Sequence, residues 1–228
     1  MRKFLEAAKA HTAPLRRAVF IDKDGTLVEN VPYNVDPAKL RFTPLAIEGL
    51  QLLAQQGYLL IIITNQSGLA RGLFSRSAFA HLQASLTAML KDRGVSITDF
   101  YVCPHAPADV KLGPSCLCRK PAPGMLHQAA LKHRIDLENS WMIGDILDDI
   151  EAGRRAGCKG VLMDVGNETE WLMSPLREPQ VRATNLLEAA HAILASEAAD
   201  HHQVKELKAH HPMEALSGTP SGMPGLSA

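Results

Sequence analysis

The run Val19-Phe20-Ile21-Asp22-Lys23-Asp24-Gly25-Thr26 joins an apolar tripeptide to a polar turn carrying two carboxylates. Apolar residues without alternation read as a strand buried on both faces. Asp22 and Asp24 therefore emerge together at a strand's carboxyl end, the edge where open α/β sheets bind ligands. Two carboxylates one residue apart can divide roles, one as ionised nucleophile or metal ligand and one as protonated acid. Gly25 allows a sharp turn, and Thr26 can brace it through its hydroxyl. Asp, Gly and Lys are equally at home in a solvated loop, so the pentapeptide alone leaves both readings open.

Working outward, the same arrangement recurs. Tyr58-Leu59-Leu60-Ile61-Ile62-Ile63 has no alternation and reads as a central parallel strand, ending in Thr64-Asn65-Gln66-Ser67-Gly68. Trp141-Met142-Ile143 leads into Gly144-Asp145-Ile146-Leu147-Asp148-Asp149. Further strands are expected over 99–103 and 160–163. Helical spacing of apolar residues predicts helices over 44–56, 75–93, 123–134, 147–156 and 185–196. Phe79, Leu82, Leu86 and Leu90 form the inward stripe of the second, and Ser75 or Ser77 caps it. Pro32, Pro37 and Pro44 make 27–44 an irregular loop near the carboxylates. Strands alternating with helices imply right-handed crossovers and a doubly wound parallel α/β sheet. The expected organisation is a lead-in over 1–17, one domain over 18–196 and a frayed or disordered tail over 197–228, with at most a short helix near 203–209.

Three strand ends thus send polar groups to one rim: Asp22 and Asp24, Thr64 and Asn65, and Asp145 with Asp148 or Asp149. Asp149, four residues after Asp145, is the favoured partner. Arg119-Lys120 precedes the helix between the third and fourth strands. Carboxylates from two strand ends make a hard oxygen site suited to magnesium, which takes few carboxylates plus waters and phosphate oxygens. A lysine, a hydroxyl and loop amides suit a phosphoryl group.

Cys103-Pro104-His105 and, ten residues on, Cys116-Leu117-Cys118 offer three thiolates and one imidazole. That is a closed four-ligand set for a structural zinc ion, which would staple the intervening loop and position Arg119-Lys120. Cys158 reads as a buried structural thiol.

Composition narrows the partners. The chain has 228 residues, 46% hydrophobic and 21% charged, with 24 basic and 24 acidic side chains. A neutral balance gives no field for nucleic acid or an acidic membrane surface. No apolar run approaches the ~20 residues needed to span a bilayer. Residues 1–17 carry charges throughout and lack the apolar core of a signal peptide, so a cytoplasmic protein is expected. A monomer is expected as the partner state.

Asp22-Lys23-Asp24-Gly25-Thr26, Thr64-Asn65-Gln66-Ser67-Gly68, Lys120-Pro121 and Gly144-Asp145 resemble the four ordered motifs of haloacid dehalogenase-type phosphatases. The resemblance covers about residues 17–195. It implies a Rossmann-like sheet and a phosphomonoesterase working through an aspartyl phosphate. Asp22 would be the nucleophile and Asp24 the acid and base, while Thr64 and Lys120 would hold the phosphoryl oxygens. Magnesium would bind Asp22, the backbone carbonyl of Asp24, and Asp145. The Cys-Pro-His and Cys-x-Cys-Arg-Lys-Pro pattern resembles the zinc-loop branch, which contains heptose bisphosphate and histidinol phosphate phosphatases. It implies a small phosphorylated sugar of surface-glycan precursor synthesis as substrate, with histidinol phosphate as the alternative. Asn30, Tyr33, Thr64, Asn65, Gln66, Ser67, Arg119 and Lys120 would contact it. One departure stands out: members of the heptose group usually carry lysine after the fourth-motif aspartate, where this chain has Ile146. No stretch is long enough for a separate cap domain. From another class, a zinc-stapled binding module without catalysis is the competing reading, against which the intact Asp22, Asp24, Lys120 and Asp145 argue.

Overall fold

A computed structural model describes residues 14–107 and 116–210. Its elements run β1 (Ala18–Asp22), α1 (Ala46–Gln55), β2 (Leu59–Asn65), α2 (Arg76–Lys91), β3 (Asp99–Cys103), α3 (Gly124–His133), β4 (Trp141–Gly144), α4 (Leu147–Ala156), β5 (Lys159–Met163), β6 (Val181–Ala183) and α5 (Leu186–His210). The strands form one sheet in the order β3-β2-β1-β4-β5-β6, and every pairing is parallel. This is the expected doubly wound α/β sheet.

The order follows from burial. All five residues of β1 are buried, as are six of seven in β2 and all four in β4. Strands apolar on both faces need helices above and below, and crossover helices supply them. The predicted stripe on α2 is buried at Phe79, Leu82, Leu86 and Leu90, and Ser75 caps that helix by accepting from the Ala78 N–H at 3.1 Å.

The chain leaves β1 for β2 on one side, while β4 lies on the other. At such a reversal the flanking connections diverge and open a crevice at the carboxyl edge. Register sets its floor: Ile21 lies opposite both Ile62 and Ile143. Asp22 then lies opposite Ile63, one residue before Thr64, with its carboxylate near that of Asp145. Among the described residues no cap domain interrupts the motifs. The 23–45 connection is held by short bridges (Asp24 to Val28, Val28 to Phe42) and one 3-10 turn at Pro37–Lys39.

Two elements differ from expectation. β6 was not foreseen: Val181-Arg182-Ala183 is too short for a pattern, and Arg182 is exposed. The last helix does not stop near 196 but continues to His210, through a stretch read from sequence as a frayed or disordered tail with at most a short helix near 203–209. Ala, Glu, Lys and Leu in that stretch are good helix formers, so nothing local ends it. The chain divides into two compact units within this helix, Met1–Ile193 and Leu194–Ala228. The first holds the sheet; the second holds the helical run onward to His210. The lead-in through residue 13, the centre of the loop between His105 and Cys116 and the tail beyond 210 lie outside the described residues.

Candidate active site

The centre of the crevice is a knot of buried charge. Asp22, Asp145 and Asp149 each bring a carboxylate oxygen to within 4.8 Å of the others. Their exposures are 6%, 4% and 1%. Lys120, also buried, sits among them. Its ammonium forms an ion pair with Asp22, lies 2.6 Å from Asp149, and donates to the Ile63 carbonyl at 3.1 Å.

Local backbone chemistry makes this crowding possible. Gly25 adopts φ +91°, and a Cβ there would stand 2.1 Å from Asp145 Oδ2. Gly144 ends β4, where a Cβ would come within 2.2 Å of the Asp149 Cβ. Close approach therefore demands glycine at both positions, and the left-handed turn demands it at Gly25 as well. Asp145 is held at both oxygens: Thr26 Oγ1 donates to Oδ1 at 3.1 Å and Asn167 Nδ2 to Oδ2 at 2.9 Å. The favoured choice between neighbours is the one the fold brings in. Asp149 joins the cluster, whereas Asp148 points to Arg177 at 2.6 Å.

Three carboxylates against one ammonium leave an excess of two negative charges in a buried place. Burial pushes the Asp22 carboxyl up to about 7; Lys120 opposes the rise, while Asp149 and Asp24 add to it. Burial likewise raises Asp145 and Asp149 to about 6 each. Burial works against the Lys120 ammonium, but Asp149 and Asp22 outweigh it and hold its pKa above the usual lysine value. Carboxylates this crowded want a cation of higher charge than lysine. The all-oxygen donor set, converging from β1 and the β4–α4 turn, fits magnesium.

Asp24 stands apart from the knot. Its side chain accepts from Lys23 Nζ and, at 2.9 Å, from Gln66 Nε2. Gln66 also donates to Thr64 Oγ1 at 2.9 Å, which leaves the hydroxyl its own hydrogen for another acceptor. Asn65 is committed elsewhere: its amide exchanges two 3.1 Å hydrogen bonds with the Lys120 backbone and so fixes the lysine's loop. Thr64 and Asn65 belong to β2 itself rather than to the loop after it.

Two openings flank the knot. Asn30, Tyr33, Asn65, Gln66 and Ser67 line a cavity of about 280 Å³ together with Asp24. Gly68 lets the Tyr33 ring lie close to its backbone. Arg119 and Lys120 line a second cavity of about 760 Å³ with Asp148, Arg155 and Glu170. Every expected substrate-contacting residue thus borders one opening or lies in the floor between them. Lys23, buried at 2%, and Asn167 were not singled out in the sequence. Lys23 belongs to a turn that reads as solvated, yet the fold buries it; Asn167 stays exposed, and only its hydrogen bond to Asp145 marks it.

The zinc-type cluster is assembled as well. Cys103 Sγ lies 3.6 Å from both His105 Nδ1 and Cys116 Sγ, and 3.3 Å from Cys118 Sγ; His105 Nδ1 to Cys118 Sγ is 3.2 Å. A tetrahedron with metal bonds of about 2.0–2.3 Å has edges of about 3.5–3.8 Å; two of these separations match it and two are a few tenths of an ångström shorter, a grouping that could close on one ion. Asn65 and Arg119 join this cluster to the knot: Asn65 pairs opposite Cys103 in the sheet, and Arg119 donates to the Cys116 sulfur and to the His105 carbonyl. Cys158 is buried away from it, its thiol pushed up to about 12 by burial. Among the described residues no helix is long and apolar enough to cross a membrane.

A parallel sheet whose switch point gathers a strand-end aspartate, a lysine and two further carboxylates defines a phosphatase of the haloacid dehalogenase type. The HAD-hydrolase-like family model matches residues 117–189. The D-glycero-beta-D-manno-heptose-1,7-bisphosphate 7-phosphatase of Pseudomonas aeruginosa is 32% identical over 180 residues, 78% of this chain and 98% of that protein. The D-glycero-alpha-D-manno-heptose-1,7-bisphosphate 7-phosphatase of Photorhabdus laumondii is 41% identical over 143 residues, 62% and 78% of the two chains. Among solved structures, a D,D-heptose 1,7-bisphosphate phosphatase from B. bronchiseptica, complexed with magnesium and phosphate, superimposes with a TM-score of 0.65 at 27% identity, covering 79% of this chain and 99% of its own. The chain belongs to the haloacid dehalogenase-like phosphatases, in the branch of the heptose-bisphosphate 7-phosphatases.

Proposed function

We propose that the chain, through a domain spanning 18–196, removes the 7-phosphate of D-glycero-D-manno-heptose 1,7-bisphosphate. The observation that carries this reading is the placement of Asp22 between the Lys120 ammonium and the Asp145 carboxylate at the sheet's switch point. The likeness to relatives that act on this sugar adds to it.

Magnesium would be held by Asp22, Asp145 and the Asp24 backbone carbonyl, supported by Asp149, and would supply positive charge to the phosphoryl oxygens and to the ionised Asp22. Asp22 attacks phosphorus through a carboxylate oxygen, and the bond from phosphorus to the sugar oxygen breaks. Asp24 gives its proton to the departing alkoxide, then takes one from the water that attacks the aspartyl phosphate. Phosphate leaves and Asp22 is restored. Asp24 is suited to proton work because its side chain lies outside the carboxylate knot, oriented by Gln66. Thr64 and Lys120 hold the phosphoryl oxygens. Asn30, Tyr33 and Ser67 on one side and Arg119 on the other contact the remainder of the sugar phosphate.

Zinc at Cys103, His105, Cys116 and Cys118 is structural, since all four positions are filled by side chains. Thiols kept for a metal suit the reducing cytoplasm, and we read the chain as a monomer.

The test is a panel of phosphate esters assayed with magnesium: α- and β-heptose bisphosphate, histidinol phosphate and simple sugar monophosphates. The expected result is a clear preference for a heptose bisphosphate. Preference for histidinol phosphate would move the substrate, and inactivity on all would favour the binding module.

A further inference from the structure

The connection from β5 to β6 supplies none of the groups assigned a chemical step above, yet three of its side chains tie it to the β4–α4 turn and the start of α4. Asn167 Nδ2 donates to Asp145 Oδ2 at 2.9 Å. Glu168 Oε2 accepts from the Leu147 N–H at 2.6 Å, at the first residue of α4. Arg177 pairs with Glu151 and Asp148, each at 2.6 Å. The Asn167 amide nitrogen would lie 2.7 Å from a Cβ on Gly25, so this solvent-facing side chain lies over the nucleophile's turn and reaches Asp145 from the rim.

We propose that Asn167 is a positioning residue that fixes the orientation of Asp145 and thereby sets the affinity of the carboxylate knot for magnesium. This rests on the phosphatase reading of the site. Thr26 and Asn167 hold one oxygen of Asp145 each, from two different segments, so the carboxylate cannot rotate without breaking a hydrogen bond. The donor type matters. A lysine or arginine at this distance would compete with a divalent cation, and an acidic side chain would add to an existing excess of negative charge. A neutral amide orients the ligand and alters neither balance. Partners of this kind commonly change metal affinity about 10–100-fold when removed.

The test compares wild type with Asn167→Ala and Asn167→Leu; the second keeps the branched shape without the donor. Magnesium binding is read by titration calorimetry and by the magnesium-dependent rise in Tm, beside turnover against magnesium concentration. The expected result for both is half-saturation at about tenfold higher magnesium or more. Turnover at saturating magnesium should return close to wild type, with Tm in EDTA little changed. Arg177→Gln loosens the same connection away from Asp145, and should lower Tm while leaving the magnesium dependence alone. Wild-type magnesium dependence in both Asn167 variants would overturn the proposal, as would an equal shift in Arg177→Gln. Should wild type itself neither bind magnesium nor hydrolyse phosphate esters, the proposed function falls first and this inference with it.

Discussion

Lys120 Nζ lies 2.6 Å from the Asp149 carboxylate, both groups withdrawn from solvent, while the same ammonium is paired to Asp22. Removing one member of a buried ion pair costs about 3–5 kcal/mol because the other is left uncompensated. Lys120→Met therefore should unfold well below wild type at about pH 8. The loss should shrink near pH 6, where the stranded carboxylates can take up protons, and turnover should fall below detection. Urea denaturation at the two pH values, beside an activity assay, checks this.

The crowding also dictates a linkage between pH, metal and stability. Asp22, Asp145 and Asp149 keep protons in the folded protein up to about 7, 6 and 6, well above the ordinary carboxylate value of 3.8. Between those limits the folded state binds more protons than the unfolded one, so stability falls as pH rises. The contribution is fully present below the ordinary value and lost as pH passes through about 6–7. In EDTA, Tm should drop between about pH 5.5 and 8. Magnesium should raise it far more at the upper pH, where protons no longer compete. Scanning fluorimetry across that range with and without magnesium reads both effects.

Gly144 and Asp149 press together so closely that a methyl group has no room. Gly144→Ala should cost about 1–3 kcal/mol by overpacking. The strain should also displace Asp149 from Lys120, so turnover should fall more than stability predicts. Denaturant unfolding with kinetics on the same preparation separates the two losses.

The thiol cluster should hold one zinc per chain, measurable by elemental analysis of protein purified without chelator. Cys118→Ser should lose the metal and part of the stability. It should also weaken substrate binding, because Arg119 and Lys120 follow directly and Arg119 leans on Cys116 and His105. A rise in KM together with lost zinc is the expected signature; lost zinc with unchanged KM would confine the metal to stability.

The sheet and most of the site were legible in the chain because the demands there are local. Ile61-Ile62-Ile63 can only be buried, a glycine must stand where Asp145 crowds the turn, and Cys-x-Cys places two thiols on one ligand arm. Asp149 could be favoured over Asp148 because one helical turn from Asp145 returns the chain to the same face. What escaped depends on distance. Asn167 meets Asp145 across 22 residues of chain through one hydrogen bond, and no periodicity announces it. β6 is a three-residue edge strand, its identity fixed by pairing with β5 rather than by Val-Arg-Ala. Lys23, a charged residue in a turn, reads as solvated until the fold shows it buried against Asp24.

The most direct measurement is turnover of Asp22→Asn on heptose bisphosphate at saturating magnesium, with Tm taken in EDTA at about pH 8. The substitution keeps the shape and removes one of three crowded charges, so Tm should hold or rise while turnover falls at least about a thousandfold. A folded variant within tenfold of wild-type turnover would contradict Asp22 as the group that attacks phosphorus.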